Sequence, residues 1–353
     1  MNIAVIGYPY ARVNNRATLT GPNVFFVVPK VWKIKKGKAS YETHSDDHIM
    51  ATFAFFHHSD YPIIGGLLKG WMPMLPWHLW RLKREHNIRL VFDAHEPNLL
   101  TTLYNGIFAK LLGLKHVVFS WQNVALLHHS LIKANLMFVD GIVCGNQKCS
   151  ELFKKITDKP LAVIPLAGID VEKFKPLKRE HDGCVFLFAG AIDYRKGLHI
   201  LIPAFEKVKQ KIPNIRLVLV GSGTYEKHIN YPIIPWADHT ALKKLYEEAD
   251  VFVYPSISYN GWEEQFGYSM VEASLMELPV ISTKSGSINE VVEDGKTGIL
   301  VRPGNVDELV DAMLALAHDS IKRKTMGRAG REFIIANFSN QIIRKKYEDF
   351  LHF

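Results

Sequence analysis

Cysteine is scarce in this sequence, and its few residues form no recognisable pattern. The chain contains three cysteines, Cys144, Cys149 and Cys184, and no two of them are separated by only two residues. An odd number in this arrangement disfavours both a disulfide framework and a cysteine-ligated zinc site. We expect these residues to be small buried side chains in a reducing compartment.

Long hydrophobic runs are also missing. No uncharged apolar run reaches the roughly 18 residues that a membrane-spanning helix needs. Residues Asn2 to Gly7 have the character of a strand and not of a basic segment followed by a long apolar stretch, so no signal peptide is predicted. Both observations lead us to expect a cytoplasmic protein.

The charge is of mixed sign with a basic excess. Lysine and arginine number 43 against 35 aspartates and glutamates, which gives a formal net charge of +8. A basic balance favours anionic partners such as nucleotides, diphosphates, nucleic acid or an anionic membrane surface. The basic residues form no recognised nucleic-acid motif, so nucleic acid is not expected. With 353 residues, 48% of them hydrophobic, the chain is long enough for two globular domains.

Short apolar runs alternate with longer segments of helical periodicity, which predicts α/β domains with parallel sheets and crossover helices. The predicted strands of the first half are Ile3–Ile6, Asn23–Val28, His48–Phe56, Leu90–Phe92, His116–Ser120, Gly141–Val143 and Leu161–Ile164. Those of the second half are Val185–Phe188, Arg216–Val220, Val251–Tyr254, Pro279–Ser282 and Gly298–Val301. The predicted helices are Gly197–Lys211, Thr240–Glu248, Gly267–Glu277, Asn305–His318, Asp319–Asn337 and Ser339–Leu351.

The segment Ile164 to Pro176 interrupts this alternation, because it carries two prolines and one glycine between the two α/β halves. We therefore predict one domain over residues 1–167 and a second over residues 168–337. Residues 338–353 are predicted to form a C-terminal helix that packs back on the first domain.

The stretch Glu264 to Glu272, which reads EQFGYSMVE, follows a predicted strand and opens a helix at about Gly267. The unpaired N–H groups at a helix start favour an anion, and glycine lets a ligand approach the backbone closely. The two carboxylates could accept hydrogen bonds from hydroxyl groups on different parts of one ligand. Alternatively, Glu264 caps the helix and Glu272 is a solvated surface charge.

Two further stretches follow predicted strands, where ligands bind in open parallel sheets. Gly190 to Gly197, which reads GAIDYRKG, places Arg195 and Lys196 at a helix start, an unfavourable position for cations unless an anion binds there. This favours a phosphate ligand, with a solvated loop as the alternative. Asp93 to Asn98, which reads DAHEPN, places His95 at a strand's carboxyl end, where it either serves a site or is satisfied by loop backbone.

Taken in order, these three stretches resemble the retaining glycosyltransferases of family 4, whose hallmark is two glutamates separated by seven residues. Further matches to the family pattern lie at Glu272–Ile281, Gly286–Glu290, Gly295–Val301, Lys196–Gly197, Val163–Asp170 and His95–Asn98. The resemblance covers nearly all of the second domain and, more loosely, the first domain from about Leu90. It implies a GT-B fold, in which two Rossmann-like domains face each other across a cleft.

The resemblance also implies an activity and a set of site residues. The activity is retaining transfer of a hexose of the mannose or glucose type, from a UDP- or GDP-linked sugar to a glycan or lipid-linked acceptor. Catalytic roles are implied for Glu264, His95 and Lys196, and donor-binding roles for Arg195, Gly190, Phe266, Gly267, Tyr268, Glu272 and Trp236. No DxD motif is present, so we expect no metal and no cofactor, with Lys196 neutralising the leaving diphosphate.

The sequence departs from the family pattern at three places. Ala191 stands where the family often has arginine, and Ser287 replaces the second glycine of a later turn. Only Tyr8 to Pro22 separates the first two strands, where many members have a glycine pair and a long helix. These departures keep open an alternative function, a noncatalytic subunit or scaffold of a glycosylation assembly.

Aromatic and basic residues alternate in two stretches of the first domain, Lys30–Lys38 and Leu67–Arg84. Such mixtures are typical of a membrane interface, although a core helix with a solvated basic edge would give the same pattern. We therefore predict contact with an anionic membrane, at the cytoplasmic face, and a lipid-linked or cell-envelope glycan acceptor.

Overall fold

The computed structural model describes residues 1–33, 40–57, 64–124, 128–176, 182–235 and 239–353. Its strands are β1 (Ile3–Ile6), β2 (Val24–Pro29), β3 (Val31–Lys33), β4 (Ser40–Glu42), β5 (Ile49–Thr52), β6 (Leu90–Asp93), β7 (Lys115–Ser120), β8 (Gly141–Cys144), β9 (Leu161–Val163), β10 (Cys184–Ala189), β11 (Ile215–Val220), β12 (Ile233–Ile234), β13 (Val251–Tyr254), β14 (Val280–Thr283) and β15 (Gly298–Val301). Its α-helices are α1 (Val13–Ala17), α2 (Ile64–Leu67), α3 (Leu75–His86), α4 (Leu100–Leu111), α5 (His129–Leu136), α6 (Gln147–Lys154), α7 (Leu198–Lys211), α8 (His239–Glu247), α9 (Tyr268–Leu275), α10 (Val306–His318), α11 (Ser320–Phe338) and α12 (Asn340–Leu351).

The chain divides into two compact units. Unit 1 comprises Met1–Gly168 together with Asn340–Phe353, and unit 2 comprises Ile169–Ser339. The sequence predicts the domain boundary between residues 167 and 168, with the last helix as a separate segment.

Unit 1 is built on a parallel sheet with the strand order β5-β2-β1-β6-β7-β8-β9. Every residue of β1, β2 and β6 is buried, which explains why these strands are nearly continuous apolar runs. Leu75, Leu79 and Leu82 of α3 repeat at helical spacing and pack into the core against β1 and β2. Because the strands are parallel, the carboxyl ends of β1, β6, β7 and β9 lie at one edge of the sheet.

The last helix, α12, is part of unit 1 although it follows unit 2 in the chain. The Tyr347 hydroxyl donates to the Pro165 carbonyl at 3.2 Å, and its ring meets Phe92 edge-on at 5.2 Å. At the start of the helix, the Thr18 hydroxyl donates to the Asn340 side-chain oxygen at 2.7 Å. A fully buried tyrosine with a satisfied hydroxyl fixes the helix to the β6 region of the sheet.

Two features of unit 1 differ from the sequence-based expectation. The predicted strand over His48–Phe56 ends at Thr52, and Phe55 makes only an isolated antiparallel bridge with Trp71. An antiparallel hairpin of β3 and β4, in which Trp32 pairs with Tyr41, was not predicted. The lysine-rich stretch between its strands obscures the period of two that identifies a strand.

Unit 2 contains a second parallel sheet, with the order β12-β11-β10-β13-β14-β15. Side-chain caps define two of its helix starts, because Asn305 accepts from the backbone N–H of Glu308 and Asp319 accepts from that of Lys322. Strands β10 and β13 are adjacent and parallel, so the loops that follow them meet at the same edge of the sheet.

The three cysteines are buried and free. Within the described ranges, no helix has both the length and the apolar character that crossing a membrane requires.

Two glycines of α11 provide a test of the packing in unit 2. A Cβ on Gly327 would overlap the Glu277 carbonyl oxygen, whereas a Cβ on Gly330 would lie 3.5 Å from its nearest neighbour, the Ser274 Cβ. Replacing a helical glycine by alanine favours the helix by up to about 1 kcal/mol. We expect Gly330→Ala to raise the free energy of unfolding by this amount, and Gly327→Ala to lower it by about 1 kcal/mol or more through the clash. Urea titration of both variants measures the difference, and a stabilising Gly327→Ala would contradict this packing.

Candidate active site

A buried ion pair joins two of the stretches singled out from the sequence. The Lys196 Nζ lies 2.6 Å from the Glu264 Oε2, and the two residues are only 8% and 6% exposed. Lys196 ends a short 3-10 turn after β10, and Glu264 lies in the loop after β13. Because β10 and β13 are neighbours in the sheet, residues 68 positions apart meet at its carboxyl edge.

Aromatic rings surround the lysine of this pair. The Lys196 Nζ lies 5.0 Å from the centroid of the Tyr254 ring and 4.6 Å from that of Trp262. The Arg195 guanidinium also lies over Trp262, at 4.2 Å. The electron-rich ring faces stabilise both cations, of which Lys196 is buried and Arg195 is half-buried. Trp262 was not identified from the sequence, since its position in the loop before Glu264 gives no periodic signal.

Arg195 is held inside its own turn by Asp193. The Arg195 Nη2 and Nε donate to the two carboxylate oxygens of Asp193 at 2.6 and 3.2 Å, and Asp193 also accepts from the Arg195 backbone N–H at 2.9 Å. A two-point interaction of this kind fixes the direction of the guanidinium. Asp193 was also not identified from the sequence, although it stands only two residues before Arg195.

Two glycines allow the loops around the ion pair to approach closely. Gly197 has φ +74°, and a Cβ there would overlap the Pro255 carbonyl oxygen. Gly286 has φ +59°, and a Cβ there would overlap the Glu264 carbonyl oxygen, which accepts from the Ser287 N–H at 2.9 Å. The backbone on both sides of the Lys196–Glu264 pair is therefore fixed by contacts that a larger residue would prevent.

Helix α9 begins at Tyr268, four residues after Glu264. Gly267 is its N-cap, with φ +80°, and no side chain caps the helix start. Phe266 is buried against Tyr268 and Phe338, with ring centroids 4.8 and 5.2 Å apart, whereas Tyr268 is 38% exposed. Thus Glu264 does not cap α9 with its side chain, and its carboxylate pairs with Lys196 instead.

Glu272 lies on α9, five residues after Gly267, and is partly buried. The Tyr246 hydroxyl donates to its Oε2 at 3.1 Å. Burial raises the pKa of Glu272 to about 7, although the bond from Tyr246 opposes this shift. Glu272 is therefore not the solvated surface charge that the sequence left open as an alternative.

The other residues of unit 2 that the sequence analysis singled out do not share one environment. Gly190 directly follows β10 and lies close to the Tyr254 ring, since a Cβ there would lie 3.1 Å from a ring carbon. Its carbonyl lies against Gly221, where a Cβ would overlap it, so the loops after β10 and β11 are in close contact. Ala191 is exposed at the same turn. Trp236 lies outside the described residues.

In unit 1, His95 belongs to a buried polar network at the end of β6. Asp93, which is fully buried, accepts from the His95 Nδ1 at 2.6 Å, from the His95 backbone N–H at 3.0 Å and from the Asn105 amide at 2.9 Å. His116 Nε2 lies 3.2 Å from the same carboxylate. Burial alone would raise the pKa of Asp93, but the charges of His95 and His116 and their hydrogen bonds hold it well below its usual value.

One nitrogen of His95 has no hydrogen-bond partner in the described part of the chain. The Nδ1 of His95 lies against Asp93, whereas its Nε2 is buried and has no hydrogen-bond partner among the described residues. Gly7 and Gly70 flank the ring, because a Cβ on Gly70 would lie 2.8 Å from Nε2 and one on Gly7 would lie 3.2 Å from Cε1. An unsatisfied buried nitrogen costs about 1–3 kcal/mol, so its retention points to a functional role.

Across the described ranges, no group of three or more histidines, cysteines, aspartates or glutamates could hold a metal ion. The cation at the carboxyl edge of unit 2 is instead an ammonium group, Lys196, beside a carboxylate and an uncapped helix start. This arrangement can neutralise an anionic group and accept hydrogen bonds from hydroxyls at the same place.

Comparison with known proteins agrees with this chemistry. Residues 170–333, which lie in unit 2, match the model of the family "Glycosyl transferases group 1". The chain is 32% identical over 201 residues to the capsular polysaccharide biosynthesis glycosyltransferase CapM of Staphylococcus aureus, covering 51% of each chain. It is 28% identical over 208 residues to the GDP-mannose-dependent monoacylated alpha-(1-6)-phosphatidylinositol monomannoside mannosyltransferase of Corynebacterium glutamicum, covering 52% of this chain and 54% of that protein. The chain spans about half the length of these curated relatives.

Solved structures show the fold over the whole chain. HepE of Anabaena, in complex with UDP, superposes with a TM-score of 0.72 at 16% identity and covers 100% of both chains. A further HepE structure, in complex with UDP-glucose, has a TM-score of 0.69. The predicted GT-B fold, with two Rossmann-like parallel-sheet domains, is therefore confirmed.

The buried ion pair makes a direct prediction about stability. We expect Lys196→Met to lower the free energy of unfolding by about 3 kcal/mol, because it leaves the Glu264 carboxylate buried without its partner. The double variant Lys196→Met/Glu264→Leu should lose less than either single variant, since apolar side chains tolerate burial. Lys207→Met is the matched control, because Lys207 and Asp307 form an exposed pair at 2.8 Å and should contribute little. Urea titration of the wild type, the two single variants, the double variant and Lys207→Met measures these differences, and equal losses in Lys196→Met and Lys207→Met would contradict the buried pair.

Proposed function

We propose that the protein is a retaining glycosyltransferase, which moves a hexose of the mannose or glucose type from a UDP- or GDP-linked donor to a hydroxyl of a glycan or lipid-linked acceptor. The observation that carries this proposal is the buried Lys196–Glu264 pair, placed at the carboxyl edge of a parallel sheet and beside an uncapped helix start. It lies inside the segment that matches the glycosyl transferases group 1 model.

The proposal gives a role to each charged side chain of the candidate site in unit 2, and the surroundings of these side chains support it. Lys196 neutralises the diphosphate as it leaves, assisted by Arg195. Glu264 accepts hydrogen bonds from the donor sugar's hydroxyls beside the backbone of Phe266 and Gly267, and Glu272 accepts from the ribose. The Glu264 carboxylate pairs with the same ammonium group of Lys196 that would face the diphosphate. The two charges therefore balance each other within unit 2.

Gly190 and Tyr268 complete the proposed donor contacts of unit 2, with the base near Pro235 and Trp236. In unit 1, the Nε2 of His95 is proposed to form a hydrogen bond with a hydroxyl of the donor sugar, in an orientation that Asp93 fixes through Nδ1. No metal or cofactor is part of this proposal, because the lysine supplies the positive charge.

The choice of donor is supported by the relatives but differs among them. The Corynebacterium glutamicum relative is described as GDP-mannose-dependent, and HepE has been solved with UDP and with UDP-glucose.

For the reaction we propose that the bond between the anomeric carbon and the diphosphate oxygen breaks, and the diphosphate leaves with the electron pair. The acceptor oxygen then bonds to the anomeric carbon on the same face, and its proton passes to a diphosphate oxygen, which gives retention.

A donor panel tests this proposal. We expect hydrolysis or transfer with at least one of UDP-glucose, UDP-galactose, GDP-mannose and GDP-glucose, and an α-linked product from an α-linked donor, as observed by NMR. Glu264→Ala should lower turnover by about 100-fold, as the loss of one electrostatic contact to the transition state does. Glu272→Ala should mainly raise the donor KM, by about tenfold, because a hydrogen bond to the ribose is lost.

Glu263→Ala is the control for these variants, because this neighbouring carboxylate accepts from the Ser258 hydroxyl and has no role in the proposal. Equal and mild effects of the three substitutions would refute the assigned site, and an inverted product would refute retention. Failure to hydrolyse any donor, in protein that is folded, would favour the alternative of a noncatalytic subunit.

Contact with an anionic membrane at the cytoplasmic face is the second part of the proposal, and helix α3 supports it. The side of α3 that carries Leu75, Leu79 and Leu82 is in the core, yet Trp77 and Trp80 are each 46% exposed. The Arg81 and Arg84 guanidinium groups lie 5.8 and 5.6 Å from the Trp77 and Trp80 rings, respectively. Exposed tryptophans next to cations suit the interface between lipid headgroups and acyl chains. The other basic stretch, Lys30–Lys38, lies largely outside the described residues.

Liposome co-sedimentation tests this surface. We expect the protein to pellet with vesicles that contain phosphatidylserine and to remain in solution with pure phosphatidylcholine, with binding that weakens as salt rises. Trp77→Ala/Trp80→Ala should lose most of the binding, whereas Met137→Ala, which changes a more exposed apolar residue of unit 1, should retain it. Absence of wild-type binding to anionic vesicles at moderate salt would refute the membrane contact.

A further inference from the structure

The loop between β13 and α9 contains a tight turn that runs from Tyr259 to Trp262. These two residues exchange two backbone hydrogen bonds, each of 3.0 Å. Asn260 and Gly261, which lie between them, have φ angles of 48° and 70°. Positive values at both central residues are what a type I′ turn requires, and the sequence Asn-Gly favours them. The turn therefore fixes the backbone from which the Trp262 ring extends.

The same loop is attached to the short turn that carries the two cations of the candidate site. The Arg195 carbonyl accepts from the Ile257 N–H at 2.8 Å and from the Ser256 hydroxyl at 3.1 Å. Ser256 is completely buried, so water does not compete for this bond. The backbone that leads to Trp262 is thus held against the backbone of Arg195 and Lys196.

One indole ring contacts both cations. The Trp262 ring centroid lies 4.2 Å from the Arg195 guanidinium and 4.6 Å from the Lys196 Nζ. Two groups that contact the same ring can be no further apart than these two distances taken together. Like charges at such a separation repel each other, and the negative face of the ring attracts both of them. Trp262 therefore offsets part of the repulsion that opposes this arrangement.

Each cation also has its own carboxylate, and one of the cations remains accessible to a ligand. Lys196 pairs with Glu264, whereas Arg195 pairs with Asp193 through its Nε and Nη2. The Arg195 side chain is still 35% exposed. Arg195 and Lys196 are the only basic residues of the segment Gly190–Gly197, in which Ala191 supplies no charge. Any anion bound by this loop must therefore be bound by these two residues.

We propose that Trp262 is a positioning residue that acts through Arg195 and Lys196, by holding the two cations side by side so that they bind neighbouring phosphate groups of one nucleoside diphosphate. The inference rests on the proposed function and adds the residue that arranges its two cations. Cations that are ordered in advance lose less side-chain entropy when the diphosphate binds. A nucleoside monophosphate has one phosphate group, so it gains less from the arrangement.

Calorimetric titration of the full chain with UDP, GDP, UMP and GMP tests this role. We expect Trp262→Leu to weaken binding of the preferred diphosphate by about tenfold and binding of the matching monophosphate by at most about threefold. Trp262→Phe should lose less than Trp262→Leu, because a phenyl face attracts cations less strongly than an indole face but still attracts them. Equal losses for diphosphate and monophosphate, or no loss for either, would overturn the proposal.

A double-mutant cycle shows whether Trp262 acts through Arg195. Arg195→Met and Trp262→Leu should each weaken diphosphate binding. Because the ring then has one cation fewer to position, the double variant should lose less than the two single losses multiplied together. Single losses that multiply without any interaction would show that the ring and the guanidinium act independently, which would overturn the proposal.

Tyr259→Leu is the matched control, because Tyr259 is the other aromatic residue of the same turn. Its ring is 43% exposed and lies 4.7 Å from that of Tyr194, and no cation contact involves it in the described ranges. This variant should bind diphosphate as wild type does. A loss equal to that of Trp262→Leu would assign the effect to the turn and overturn the role of the indole. Urea titration establishes that each variant is folded, and Trp262→Phe provides the comparison if Trp262→Leu is not.

The inference and the proposed function fail in different ways. Wild-type protein that binds neither UDP nor GDP and hydrolyses no donor would overturn the proposed function. Wild-type protein that binds a diphosphate, together with Trp262→Leu that binds it equally well, would overturn the role of Trp262 and leave the proposed function intact.

Discussion

The contact between Lys196 and Glu264 is the constraint on which the rest of the candidate site depends. Two charged groups that are nearly excluded from solvent are stable only when each meets the other. Meeting this condition requires β10 and β13 to be neighbours, and it requires glycine at positions 197 and 286, where the chain passes against a carbonyl oxygen. The aromatic rings of Tyr254 and Trp262 then lower the cost of keeping the ammonium group there.

In the polar network of unit 1, a buried charge is likewise stabilised by partners that also fix an orientation, although the residues differ. Asp93 is a fully buried carboxylate whose charge is compensated by donors, and those donors fix the orientation of His95. In both units a buried charge lies at or after the end of a strand, and hydrogen-bond partners fix its orientation. The carboxyl edge of a parallel sheet allows this, because strand ends bring together loops that are distant in the sequence.

Most of the sheet strands and the helices of unit 2 could be predicted from the sequence, because buried parallel strands are apolar runs and helix caps such as Asn305 have local signals. The hairpin of β3 and β4 could not, because its lysines and aromatic residues break the alternation. Within the site, the family motif identified Glu264 and Lys196 separately, but their pairing is a product of strand order. Asp193 and Trp262 have no signature at all, since holding a guanidinium and covering a lysine are properties of the folded loop.

The surroundings of Glu272 give the site a dependence on protons. Because burial raises the pKa of Glu272 to about 7, this carboxylate gains and loses its proton in the neutral range of pH. A ligand whose hydroxyl donates to the ionised form competes with that proton, and its binding releases the proton into the solvent. Well below pH 7, each further unit of pH weakens the apparent affinity of such a ligand by up to about tenfold, so acidity in the surrounding solution acts as a competitor for the same two oxygen atoms.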